Sequence, residues 1–144
     1  MRLNKQKLLL DYLKSNRLMT LGTVYKNKPW SATVFFAYNK KPDIFFYSSS
    51  KTKHCLNISK NPNVSVVINH DWRDKEGNIR GLQAIGIASR VTKKNYAEEY
   101  SIYSSRFKWA DDFKKDHFLY KIKLSGVWYI NEKEFGHFHR VKIR

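Results

Sequence analysis

Apolar positions recur at helical spacing at the start of the chain and then alternate. Leu3, Leu9, Leu10 and Leu13 stand among Lys and Asn, which predicts a helix over residues 2–16. Residues 18–25 (LMTLGTVY) alternate and are β-prone, so they predict a strand. A turn at residues 26–29 leads into a second strand of a hairpin, residues 30–38 (WSATVFFAY). Residues 39–43 turn the chain again, and residues 44–47 (IFFY) predict a third strand.

The next segment changes period. Cys55, Leu56 and Ile58 suit a short helix over residues 52–60, which ends at Asn61-Pro62-Asn63 because proline disfavours helix in the residue before it. Residues 64–68 are a continuous apolar run, hence a buried strand. Residues 70–78 read as a loop, with Arg73, Asp74, Lys75 and Glu76 solvated. A long strand over residues 79–91 carries Gly81 and Gly86, glycines that mark bends or close backbone approach. Residues 92–105 predict a helix with Thr92 as its N-cap and Tyr96, Tyr100 and Tyr103 on one packing face. Residues 117–130 form a strand or a pair of strands interrupted at Ser125-Gly126, and residues 135–143 a last short strand. The expected fold is mainly β with peripheral helices: about six strands in one antiparallel barrel domain over residues 1–144. No βαβ alternation, internal repeat or linker is visible.

Composition narrows the function classes. At 144 residues the chain suits one core, and no apolar run is long enough for a membrane span. The first residues lack the cleavage site of a signal peptide. Cys55 is the single cysteine, which excludes an intrachain disulfide framework and fits a reducing, cytoplasmic compartment. The net charge of +16 suggests an anionic partner. Yet the charge is spread along the chain with no block of five like charges, so a dedicated nucleic-acid function is not expected.

The sharpest chemistry lies in residues 44–62. A strand releases Ser48, Ser49, Ser50, Lys51, Thr52 and Lys53 at a predicted helix N-terminus. Unsatisfied N–H groups, hydroxyls and ammonium groups placed there suit a phosphate. A Ser-rich turn with an N-cap and solvated lysines would read the same way in sequence.

In this order the motifs resemble the pyridoxamine-phosphate-oxidase-like family of flavin-binding split barrels, in its small uncharacterised branch. The resemblance rests on LGTV, PWSATVFF, IFFYSSS with KTKH, NPNVSVVI and RGLQAIGIASRV. It implies a six-stranded antiparallel split β-barrel of Greek-key type, a homodimer, and FMN at the subunit interface. It further implies isoalloxazine against Ala32, Thr33, Val34 and Phe35 on the second strand and Tyr47 and Ser48 on the third. Phosphate would sit at Lys53 and His54, with Lys51 and Thr52 beside them. Gly81 or Gln83 on the long strand would approach the ring; the two share a face. The chain departs from the family where Ala32 replaces a phosphate-clamping arginine. At the C-terminal end it carries Phe135-Gly136-His137 and His139-Arg140 in place of the usual Arg-x-His motif. Oxidation of pyridoxamine phosphate is therefore not part of the expectation.

The remaining candidates read more plainly. His137 and His139 share a strand face, but no Cys, Asp or Glu cluster adjoins them in sequence, so no metal site is expected. Cys55 suits a small buried apolar role. Trp128, Tyr129 and residues 135–138 are expected to form a partner-side wall of the shared site. The leading function is a flavin-dependent oxidoreductase or flavin-binding protein acting on an unassigned small molecule. The alternatives are a basic nucleic-acid-binding β-barrel and a cofactor-free dimeric barrel. FMN is not separated from deazaflavin or haem, which related barrels bind.

Overall fold

A computed structural model of the protein describes residues 3–69 and 77–144. Helix α1 (Lys5–Ser15) precedes the hairpin of β1 (Leu18–Tyr25) and β2 (Lys28–Phe35). Then come β3 (Ala37–Tyr38), β4 (Asp43–Ser49), α2 (Lys53–Lys60), β5 (Asn63–Asn69) and β6 (Arg80–Arg90). The C-terminal part holds α3 (Lys93–Arg106), a 3-10 helix (Lys108–Phe113), β7 (His117–Asn131), α4 (Glu132–Phe135) and β8 (Arg140–Lys142). Arg73, Asp74, Lys75 and Glu76, expected in a solvated loop, lie outside the described residues.

The strands form one antiparallel sheet in the order β2-β1-β5-β6-β7-β4-β3, with β8 added to β7. The two ends of this path, β2 and β3, are consecutive in sequence. Phe36 alone separates them; it is fully buried, and its N–H donates to Arg17 O at 3.0 Å. One segment thus pairs with β1 at its start and β4 at its end, and the sheet curls into a split barrel. The expected count of about six becomes eight: the second expected strand breaks at Phe36 into β2 and β3, and the last, expected over residues 135–143, is the short β8. The expected interruption at Ser125-Gly126 is a bulge instead: β7 runs through, with its register to β6 shifting between Ile85 and Gly86. Gly86 is required there, since a Cβ would lie 2.5 Å from Lys123 O.

The period-two pattern sorts side chains between two cores. Leu21, Ile44, Phe46, Val66, Leu82, Ile122 and Val127 fill the barrel, closed by Leu9, Tyr12 and Leu13 of α1. On the outside of β4 and β7, Phe45, Tyr47 and Leu119 pack under Tyr100 and Tyr103 of α3. The tyrosine face of α3 is thus a packing face, as its spacing predicts. Thr92 occupies the N-cap position, but its side chain makes no capping bond. Arg106 ties the layers together. Its guanidinium donates to Phe36 O, Leu13 O and Lys14 O at 3.2–3.3 Å, and also to Asn16 O. The carbonyls left open at the end of α1 are thereby satisfied.

Candidate functional site

The turn after β4 is built by its own hydroxyls. β4 continues to Ser49, two residues beyond the apolar run, so Ser48 is still on the barrel side of a strand. Thr52 N and Thr52 Oγ1 both donate to Ser49 O, at 3.2 and 2.9 Å. Lys51 N donates to Ser49 Oγ at 3.3 Å. Thr52 is the N-cap of α2, its Oγ1 accepting from Cys55 N at 3.4 Å. The N–H groups of Lys53 and His54 open the helix, where no preceding helical carbonyl can receive them.

His54 lies under this turn. It is 9% exposed, sits edge-on to Phe46, and has Nε2 3.0 Å from Ser48 Oγ and 3.3 Å from Thr52 Oγ1. Burial holds its imidazole below the ordinary histidine pKa, so it is the neutral form that the fold accommodates. Lys53 projects to the other flank, its Nζ 4.3 Å above the Trp30 ring. Among the described residues neither Lys51 nor Lys53 has a carboxylate partner. Two free N–H groups, two unpaired ammonium groups and a neutral histidine fit a phosphate monoester.

The structure gathers some expected residues and separates others. Ser48, Lys51, Thr52, Lys53 and His54 form this one turn. Ala32 and Val34 pair with buried Leu21 and Met19, on the same strand face as Trp30. Trp30 meets the turn through Lys53, while Val34 packs against the barrel core. Thr33 and Phe35 face the opposite way; Phe35 packs on Phe107 and Trp109, each at 5.3 Å. Tyr47 turns outward beneath α3, its ring 5.3–5.7 Å from His117, Tyr103 and Tyr100. Its hydroxyl is buried, with no hydrogen-bond partner among the described residues, and burial raises its pKa. Gln83 lies on β6, separated from β2 by β1 and β5, and accepts from Arg140 Nε at 3.1 Å.

Two features were not anticipated, one beside the turn and the other a C-terminal hook, made of α4, β8 and the residues between them, at the far end of β7. Arg90, at the end of β6, places its guanidinium 3.9 Å over Phe118, the residue paired with Ser48. A nonlocal register brings it there, so no local pattern could have marked it. The other is the C-terminal hook. Glu132 is 7% exposed and accepts Ile79 N at 3.0 Å and Phe138 N at 2.9 Å. These bonds hold its carboxyl below the usual carboxylate range. No helix among the described residues is long and apolar enough to cross a membrane, and no cluster of metal-ligating side chains is present among them.

Comparison with known proteins agrees with this architecture. The fold is similar to a haem-binding protein from Mycobacterium smegmatis, with TM-score 0.83 at 15% identity, covering 99% of this chain and 58% of that one. The chain therefore spans under two thirds of that protein's length. It is similar to HutZ, the haem storage protein from Vibrio cholerae, with TM-score 0.78 at 20% identity over 95% of this chain and 100% of that one. An FAD-binding protein from Mesorhizobium loti is similar with TM-score 0.69 at 17% identity, covering 84% and 88%. No curated protein matches the sequence. The family model for pyridoxamine 5'-phosphate oxidase matches residues 6–131, and the chain belongs to that family.

Proposed function

We propose that the protein is an FMN-binding flavoprotein of the cytoplasm that works as a homodimer in a flavin-dependent oxidoreductase role. The observation that carries the cofactor is the turn of Ser48, Lys51, Thr52, Lys53 and His54, whose unpaired donors suit a phosphate with no carboxylate opposing it. Lys53 and the open N–H groups would hold the phosphate, with Lys51 adding charge. Ala32 and Val34, beside Trp30, offer a small-residue surface for the ring. When bound, the flavin supplies hydride or electron transfer; the chain's own residues position it and limit water. FAD binding by the Mesorhizobium loti protein supports a flavin on this fold.

A haem reading has its own support. His137 and His139 are exposed on the hook, and two structurally similar proteins are named for haem. The visible spectrum separates the two. Titrating purified protein with FMN should perturb the flavin bands and quench Trp30 fluorescence. A Soret band on adding haem, with no response to FMN or deazaflavin, would replace the flavin reading.

A further inference from the structure

Positive charge that is spread along the sequence is gathered by the fold. Between Asp11 and Asp71 the one acidic residue is Asp43, at the start of β4. α2 closes one end of the barrel, with Cys55 and Ile58 in the core and Asn57 Nδ2 donating to Thr23 Oγ1 at 3.0 Å. α1 closes the opposite end, where Tyr12 OH donates to Ile68 O at 2.8 Å. The register brings the β1–β2 turn, the end of β4, the start of β5, the end of β6 and the start of β7 together at the α2 end. Lys26 and Lys28 stand on that turn, and Arg90 ends β6. Lys53 and Lys60 share one side of α2 with the exposed Leu56. These five cations are exposed, and none of them makes an ion pair among the described residues.

Aromatic rings stand among these cations. Trp30 is 42% exposed, Tyr25 38% and Phe118 37%, each at a strand position just beyond the core. Lys53 Nζ lies 4.3 Å from the Trp30 ring, Lys26 Nζ 5.4 Å from the Tyr25 ring and the Arg90 guanidinium 3.9 Å from the Phe118 ring. Each ring has its own cation, with no carboxylate to neutralise it.

We propose that the α2 end of the barrel docks single-stranded nucleic acid. Tyr25, Trp30 and Phe118 take bases, and Lys26, Lys28, Lys53, Lys60 and Arg90 take phosphates. An unpaired strand offers a flat base and a negative phosphate at every step, which is the pairing of ring and cation repeated here. A duplex keeps its bases stacked inside, so the rings would gain nothing from it. A bilayer rewards a continuous apolar face, and here cations interrupt the rings. The surface goes beyond the flavin reading and meets it only at the turn after β4, through Lys53. Tyr25, Lys26 and Lys60 lie outside the flavin site, so strand binding and FMN binding fail independently.

The probe is a fluorescein-labelled oligothymidylate of roughly 12 nucleotides, within the span that one small barrel covers, read by anisotropy. Tyr25→Ala should weaken its binding roughly tenfold. The double variant Lys26→Ala/Lys60→Ala, at exposed positions that leave the core intact, should weaken it by a similar factor. It should also make the slope of log affinity against log salt shallower by about 1.4, since each phosphate contact on a single strand contributes about 0.7. Lys5→Ala, on α1 at the opposite end, is the control and should stay within twofold. Thermal melts verify the fold of each variant. Affinity unchanged in both Tyr25→Ala and the double variant would overturn the proposal, as would no binding at physiological salt. Equal weakening by Lys5→Ala would show only the diffuse field of a +16 chain and no site. A duplex bound as tightly as the single strand, or capture by phosphatidylglycerol vesicles without binding of the oligonucleotide, would overturn it too.

Discussion

Lys53 and His54 are adjacent in sequence but do different things. Lys53 points outward over Trp30, so Lys53→Ala should remove a charge-assisted contact of about 1.5–3 kcal/mol. Lys26→Ala and Lys41→Ala, in hairpin turns, should bind FMN as the wild type does. Equal affinities for all three in a fluorescence titration would take Lys53 out of the site. His54 is buried as the neutral imidazole. Its folded pKa lies below the unfolded value, so the unfolded chain binds more protons. The stability it contributes is fully present above about pH 6.5 and falls as pH drops through that value toward the folded pKa. A bound phosphate should raise this pKa, so FMN binding near pH 6 should take up protons. NMR titration of the His54 ring with and without FMN reads the shift. Arg106 shows a third use of charge: its planar fork serves backbone carbonyls from two segments, the end of α1 and Phe36. Arg106→Lys keeps the charge and loses the fork, and should cost roughly 2–3 kcal/mol in denaturant unfolding.

Among the elements, the C-terminal hook combines β8 pairing with a buried carboxylate, Glu132, that ties its turn back to Ile79. Glu132→Gln keeps the size but weakens both acceptor bonds, so the amides of Ile79 and Phe138 should exchange faster with the barrel melt little changed. Lowering the pH should do the same, because the depressed carboxyl contributes its stability above the unfolded pKa and loses it as pH falls through the folded one. Hook amides that stay protected in the variant would show that β8 pairing alone suffices. This region is also where the sequence was least legible. Residues 135–143 predicted one short strand, but α4, a left-handed Phe138 and a three-residue β8 stand there, set by a contact from Glu132 to Ile79 across more than fifty positions. The 3-10 helix over Lys108–Phe113 was hidden for a similar reason, since its aromatic residues pack on β2. Where period and punctuation are local, the reading held: the LMTLGTVY hairpin, α2 with its Thr52 cap, and the VSVVI strand all fold as their patterns predict. Of the candidate site, the turn after β4 was legible as a turn because hydroxyls, lysines and a cap lie in one stretch. Alternation along a strand already sets Thr33 and Phe35 opposite Ala32 and Val34, and Tyr47 opposite Ser48, whereas which of the two faces meets the barrel is set by the sheet's register and curl.

For the whole molecule, homodimerisation and FMN binding should respond to salt in opposite directions. A charge of +16 on 144 residues makes every association of like chains a contest between contact and repulsion. In a homodimer the opposing force comes from the two basic surfaces, acting over distances that salt screens, with a Debye length of about 10 Å at 0.1 M. Raising NaCl from low to physiological strength should therefore tighten dimerisation several-fold. FMN binding runs the other way. Its dianionic phosphate is attracted by Lys51, Lys53 and the surrounding basic field, and screening should weaken it. One salt series, with sedimentation reading the dimer and fluorescence reading FMN, separates the contributions. A dimer that loosens with salt would mean that ion pairs hold it. FMN affinity indifferent to salt would mean that the ring rather than the phosphate carries binding, and the turn after β4 would lose its role as the cofactor's anchor.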